Sequence, residues 1–247
     1  MRISIFGASG RVGTQLVELV LASPGLELVA ALVSPTSRHV GQPVAGGALE
    51  YRPAEAAMNT RCDVIIDFSA PAASLWLQEQ IGSSPLPCVI GTTGFSKAQE
   101  DQLTGWSAHR PMVISANFAL GFEAFRQCAA RFASTMPGAE ATVREVYHAR
   151  KKAEPSGTSR WLAETVRKAR SKAMGFAASE PDITVNREGD VTGINEVRFD
   201  LGSAGLTLTY QVHTLAAYAE GAMAAASWLR TARPDCGRYT LADTQTT

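Results

Sequence analysis

The sequence predicts an α/β fold: a Rossmann-type doubly wound parallel sheet, followed by a distinct α+β unit rich in antiparallel strands. Three observations carry this. Arg2–Phe6 is a short β run that opens into a glycine turn and then a helical pattern. Short apolar strands alternate with helical stretches through the first half, which is the signature of βαβ units on a parallel sheet. After Gly121 the pattern changes to period-two alternation with a hairpin signal.

The first turn reads Gly7-Ala8-Ser9-Gly10-Arg11-Val12-Gly13, and Thr14–Ala22 then carry apolar residues at helical spacing. Strand, glycine turn and helix together form the context in which a backbone cradles a pyrophosphate at a helix N-terminus. Gly7, Ser9, Gly10, Arg11 and Val12 are therefore candidate cofactor contacts; the plainer alternative is a tight turn with no ligand. The second strand, Leu26–Val33, ends without the carboxylate that would hold a ribose 2′-hydroxyl, and Ser34, Ser37 and Arg38 follow it. Hydroxyls and a guanidinium suit a 2′-phosphate, so NADPH is expected to be preferred, with NADH possible.

Asp63–Ser69, Pro87–Ile90 and Pro111–Ser115 read as three further parallel strands, separated by helices near Ala72–Ile81 and Lys97–Trp106. Each delivers small and polar residues at its carboxyl end, where open α/β sheets bind ligands. Phe122–Thr135 reads as a helix and Thr142–His148 as a strand. Ile183–Arg187, Glu196–Leu201 and Leu206–His213 alternate apolar and polar residues, the last two around Gly202-Ser203-Ala204-Gly205. Ala216–Arg230 is an alanine-rich closing helix, and the tail from Pro234 is expected to be loosely held. The expected divisions are 1–118, a dinucleotide domain; 119–215, a substrate and oligomerisation domain; and 216–240, a helix returning to the first.

Composition is that of a globular protein, 45% hydrophobic and 19% charged. Lysine plus arginine equal aspartate plus glutamate at 23 each, so no global field draws the chain to nucleic acid or membrane. Met1–Phe6 reads as a strand and not as a signal peptide, and no apolar run nears the roughly 18 residues of a membrane span. A cytosolic protein with four reduced, mostly buried cysteines is expected, and no metal site, since no cysteine pair has ligand spacing. His39 and His109 read as solvated loop residues, His213 as a structural, half-buried one, and the four tryptophans as core.

The stretch with most chemistry runs from Tyr147 to Thr158. It joins His148 and Lys151 to Pro155-Ser156-Gly157-Thr158, which opens a helical pattern over Ser159–Arg170. Proline suits a helix entry, serine and threonine cap it, and the helix terminus favours anions. With Lys151 as point charge and His148 as donor, the stretch reads as a carboxylate or phosphate clamp; a capped helix behind a solvated basic loop is the alternative. Tyr147 and Lys151 also match the Tyr-x-x-x-Lys of short-chain dehydrogenases, but here the pair leaves a strand for a loop instead of lying on one helix face.

In order along the chain, Gly7–Gly13, Asp67-Phe68, Gly91-Thr92-Thr93-Gly94-Phe95, Ala116-Asn117-Phe118 and Glu145–Thr158 resemble the dihydrodipicolinate reductases of bacterial lysine biosynthesis. The resemblance implies an open mixed sheet in the substrate domain, a homotetramer joined through those sheets, and reduction of a cyclic imine-type dicarboxylate by NADH or NADPH. It implies that His148, Lys151, Ser156, Gly157 and Thr158 hold substrate, that Gly91 and Thr93 lie where cofactor meets substrate, and that Phe68, Ala116, Asn117 and Phe118 contact cofactor. The chain departs from the family pattern at Tyr147 (one of two adjacent histidines), Ala153 (aspartate), Ile194-Asn195 (Glu-His) and His213-Thr214-Leu215 (a basic Ser-Arg segment). Tyr147 holds the family's proton-donor position, so it is a candidate acid whose pKa Lys151 would lower; His148 or water is the other source of the proton. A paralogue acting on another cyclic imine or a carbonyl acid, and a non-catalytic NADPH-binding regulator, remain open alternatives.

Overall fold

The computed structural model describes residues 1–59 and 61–244. In chain order its elements are β1 (Arg2–Phe6), α1 (Arg11–Ala22), β2 (Glu27–Val33), β3 (Tyr51–Pro53), β4 (Val64–Asp67), α2 (Pro71–Ile81), β5 (Cys88–Ile90), α3 (Lys97–Trp106) and β6 (Pro111–Ile114). There follow α4 (Phe122–Thr135), β7 (Glu140–Tyr147), α5 (Gly157–Met174), β8 (Asp182–Arg187), β9 (Gly193–Asp200), β10 (Gly205–Val212), α6 (Ala216–Ala232) and β11 (Gly237–Tyr239). Two compact units emerge, one of Met1–Phe118 with Leu215–Thr247 and one of Ala119–Thr214.

The first unit holds a seven-stranded sheet in the order β11-β6-β5-β4-β1-β2-β3, with every neighbouring pair parallel. β1 lies between β2 and β4, so the strand order reverses at its carboxyl end, where such sheets bind ligands. β4, β5 and β6 are buried at every position, as strands covered on both faces must be. α1 buries Gly13, Leu16, Val17 and Val20, the i, i+3, i+4, i+7 stripe of a helix docked on a sheet. Helix entries follow local chemistry: Pro71 opens α2, and Ser96 with Gln99 forms a capping box at α3.

α6 belongs to the first unit, where Ala219, Ala222, Ala225 and Ala226 join the core beneath α1. Small residues are required there: a Cβ on Gly221 would lie 1.6 Å from the Phe118 carbonyl oxygen. The segment expected to be loose beyond Pro234 instead adds an edge strand, β11 pairing with β6, tied by Arg238 to Glu100 at 2.6 Å. β3 was equally invisible in the sequence, because Tyr51-Arg52-Pro53 has neither a period nor the apolar run that marks the equally short β5.

The second unit has a four-stranded mixed sheet, β10-β9-β7-β8, with β7 and β8 parallel and the other pairs antiparallel. α4 and α5 cover one face through Ala129, Ala133, Leu162 and Val166, packed on Val143, Val197 and Phe199. The opposite face presents Thr142, Arg144, Glu196 and Arg198, the alternate residues of β7 and β9. No helix among the described residues is long and apolar enough to cross a membrane. Three expectations about side chains fail. Trp76, Trp106, Trp161 and Trp228 are half-buried at core margins, and Cys128, Cys236 and His213 are exposed.

Candidate functional site

At the carboxyl end of β1 the chain turns through Gly7, whose φ of +84° no side chain adopts comfortably. A Cβ at Gly7 would lie 2.5 Å from the Phe68 carbonyl oxygen, and one at Gly13 would lie 2.1 Å from the Gly7 oxygen. The turn delivers the backbone to α1, where Gly10 stands at the N-cap without a side-chain cap. An N-terminus of that kind accepts an anion. Beside it lies a cleft of about 510 Å³ lined by Gly7, Ser9, Gly10, Ser34, Phe68 and Trp76 among others. A glycine cradle, an uncapped helix start and an apolar slot fit a dinucleotide.

The other expected cofactor residues lie elsewhere. Arg11 is exposed and Val12 half-buried in the first turn of α1. Ser37 and Arg38 lie on the loop after β2, outside the cleft lining. Gly91 and Thr93 follow β5, and Ala116 and Asn117 follow β6, again outside that lining. The Phe118 side chain is buried, with its ring centroid 5.7 Å from that of Phe68, so its ring packs behind the cleft. The sequence reading missed Glu55, a carboxylate that reaches the cleft from the connection after β3. Only the pairing of β3 with β2 brings it there, and that pairing has no sequence signal.

The loops after β4 and β5 are joined by Asp67. Its Oδ1 accepts from the Ser69 N–H at 2.9 Å, the Ser69 hydroxyl at 2.6 Å and the Thr92 hydroxyl at 3.0 Å. Burial pushes the Asp67 carboxyl up, and these donors oppose the shift without cancelling it.

The second unit builds its site on the inner face of the sheet. Alternation along β7 puts Glu145 on the face that also carries Ala141, Val143 and Tyr147, and its side chain is wholly buried. Register sets Asn195 of β9 opposite Glu145, and Arg187 of β8 opposite Tyr147. Glu145 Oε1 accepts from Arg187 Nη2 at 2.8 Å. Its Oε2 accepts from the Ser156 N–H at 3.0 Å, the Ser156 hydroxyl at 2.5 Å and the Ser159 hydroxyl. Burial alone would push the Glu145 carboxyl up; the two hydroxyls, the N–H and the guanidinium outweigh it and hold it below its ordinary range. Arg187 also donates to the carbonyls of Lys152 and Glu154, at 2.6 and 2.9 Å. One buried ion pair thus fixes both the loop after β7 and the start of α5.

The structure brings Tyr147, His148, Lys151, Ser156, Gly157 and Thr158 onto this loop and first turn, with two corrections. The Ser156 hydroxyl, expected to hold substrate, donates to Glu145 and accepts from the Ser159 N–H at 3.2 Å as the N-cap of α5. Tyr147, expected as an acid with a lowered pKa, is buried, and its hydroxyl donates inward to Asn195 Oδ1 at 3.2 Å. Burial pushes this phenol up instead, and the Glu145 carboxylate adds to the effect. Lys151 lies over the ring and not beside the hydroxyl, with Nζ 3.5 Å from the centroid.

The family model for the N-terminus of dihydrodipicolinate reductase matches residues 1–118, and that for the C-terminus matches residues 121–244. The 4-hydroxy-tetrahydrodipicolinate reductase of Methanocorpusculum labreanum is 30% identical over 249 residues, covering 98% of this chain and 97% of the relative. That of Thiobacillus denitrificans is also 30% identical, over 263 residues, with the same coverages. Among solved structures, the dipicolinate-bound dihydrodipicolinate reductase of Paenisporosarcina sp. TG-14 shares the fold, with a TM-score of 0.74, 19% identity and 97% coverage of each chain.

The buried carboxylate makes stability depend on pH with a definite sign. Because its folded pKa lies below the ordinary 4.5, Glu145 contributes fully above that value and loses its contribution as pH falls through the folded value. Glu145→Gln should cost about 3–5 kcal/mol at neutral pH, since it leaves Arg187 without its partner. Urea unfolding of parent and variant should give a gap that narrows below pH 4.5; a gap constant down to strongly acid pH would contradict the assignment.

Proposed function

The chain belongs to the dihydrodipicolinate reductase family, and on that premise we propose that it reduces 4-hydroxy-tetrahydrodipicolinate, a cyclic imine-type dicarboxylate of lysine and diaminopimelate synthesis. It is an NAD(P)H-dependent oxidoreductase. The observation that carries the substrate reading is Lys151 together with the Pro155–Thr158 turn, held on the buried Glu145–Arg187 pair in a chain matched along its length by both family models. A reduced nicotinamide, when bound, supplies the hydride.

In the first unit, the Gly7–Gly13 turn and the start of α1 hold the pyrophosphate, while Ser34 and Phe68 line the adenosine side. In the second unit, the Lys151 ammonium and the first turn of α5 at Gly157 and Thr158 bind substrate carboxylates. Fixed placement of this sort lowers a barrier by supplying orientation in advance. With the Tyr147 hydroxyl committed to Asn195, His148, directly after β7, is the group that delivers the proton. NADPH is the tighter ligand through Arg38, against the opposing carboxylate of Glu55. The assembly is a cytoplasmic homotetramer joined through the polar face of the second unit's sheet, which no helix of the same unit covers.

Absorbance of the reduced nicotinamide tests the function. NADPH should be oxidised when 4-hydroxy-tetrahydrodipicolinate is added, and Lys151→Ala should lower kcat/KM by about 10- to 100-fold while NADPH affinity holds. Turnover on carbonyl acids alone would favour the paralogue reading, and tight NADPH binding with no turnover the regulator reading. For the cofactor, Arg38→Ala should raise the Kd for NADPH about tenfold without moving that for NADH, and Glu55→Gln should lower it. A parent protein that binds NADH as tightly as NADPH would overturn the preference.

A further inference from the structure

Tyr147 and Lys151 meet in a geometry that the functional reading does not use. The Lys151 ammonium lies 3.5 Å from the centroid of the Tyr147 ring, within the range at which the negative face of an aromatic ring holds a cation. The Arg187 guanidinium is 5.8 Å from the same centroid and fixes the loop that carries Lys151 through the Lys152 and Glu154 carbonyls.

The hydroxyl is occupied inwardly. It donates to Asn195 Oδ1, Asn195 Nδ2 donates to the Ser159 hydroxyl at 3.1 Å, and that hydroxyl donates to Glu145. Every donor in this file points toward the Glu145 carboxylate, with the phenol outermost. Asn195 is 1% exposed and Tyr147 5% exposed, so the hydroxyl end is enclosed within the unit. An amide accepts the phenol's hydrogen bond but carries no acidic proton to relay in return. Two of the chain's departures from the family pattern, Tyr147 and Asn195, are thus one hydrogen-bonded pair.

We propose that Tyr147 is a positioning residue that acts through its ring and not its hydroxyl: Asn195 anchors the phenol, and the ring face holds the Lys151 ammonium where a substrate carboxylate binds. The role deepens the reading above and rests on Lys151 as the carboxylate ligand. Its consequence is a separation of variants. Tyr147→Phe loses the anchor but keeps the face, whereas Tyr147→Leu loses both. The loss in Tyr147→Leu should fall on KM for the dicarboxylate, because what is misplaced is a binding charge.

The test has two readouts. In protein labelled with ¹³C-lysine, the ε-methylene resonance of Lys151, assigned by its disappearance in Lys151→Arg, should be shifted upfield by the ring in the parent and in Tyr147→Phe. It should return to an ordinary position in Tyr147→Leu. An unshifted resonance in the parent, or one that stays shifted in Tyr147→Leu, overturns the proposal whether or not the parent turns over the imine. In kinetics, Tyr147→Leu should raise the dicarboxylate KM about tenfold more than Tyr147→Phe, with NADPH affinity the same in both. Equal loss of kcat in the two variants, with the pH profile losing its basic limb in Tyr147→Phe, would make the hydroxyl the proton donor instead. Tyr147→Met, which fills similar space without a ring, replaces the leucine variant if that protein does not fold. Failure of the parent to reduce the imine would sink the functional reading alone, since the lysine resonance still decides the ring's role.

Discussion

A carboxylate wholly removed from water sets the terms for the second unit. Withdrawing a charge from solvent costs several kcal/mol unless it is paired and its lone pairs are filled. Glu145 meets that demand with a guanidinium, two hydroxyls and a backbone N–H. The donors come from three parts of the chain: Arg187 of β8, Ser156 at the N-cap of α5, which gives both an N–H and a hydroxyl, and Ser159 in its first turn. Satisfying the charge therefore fixes those parts relative to β7. The loop between them, which carries His148 and Lys151, is then held from below by Arg187. The pair is weak as a source of net stability and strong as a source of position, because losing any of these donors would leave a buried charge partly unpaired.

The first unit solves its own positioning problem by sterics. The Gly7–Gly13 turn exists because a side chain at Gly7 or Gly13 would collide with backbone, so the chain can pass close to both β4 and any bound phosphate. Asp67 adds a polar tie between the loops after β4 and β5, with a carboxyl that burial drives toward its neutral form. The Glu145 carboxyl is driven the other way, toward its ionised form, by the guanidinium, hydroxyls and N–H around it. The two carboxyls are comparably buried and differ in their partners: hydroxyls and an N–H alone around Asp67, an added guanidinium at Glu145.

The alternation of strands and helices, the glycine turn and the hairpin were legible in the sequence because each has a local cause. Period-two and 3.6-residue patterns report which face is buried, and Gly7 reports a positive φ. The short strands β3 and β11 were illegible, since Tyr51-Arg52-Pro53 and Gly237-Arg238-Tyr239 lack the apolar run that marks the equally short β5, and their pairing is decided by neighbours far along the chain. Glu55 was lost with β3. The Glu145–Arg187 pair had a signal that could have found it: Glu145 falls in phase with Ala141, Val143 and Tyr147, and a charge on an apolar face demands a partner. Asn195 is likewise in phase with Val197 and Phe199. Register alone tells which strand supplies the partner, and register is a tertiary property. The way Lys151 meets Tyr147 is illegible for the same reason, because four residues of spacing do not say whether a cation meets a ring's face or its hydroxyl edge.

If Glu145 and Arg187 act as one device, their effects on catalysis must be coupled. A double-mutant cycle with Glu145→Gln and Arg187→Met, read in kcat/KM for the dicarboxylate, measures that coupling. The account predicts that either change alone releases the loop and that the second then adds little, giving a coupling of about 1–3 kcal/mol. Effects that add to within about 0.5 kcal/mol would mean that the two residues support the site separately, and would contradict the claim that one buried pair positions it.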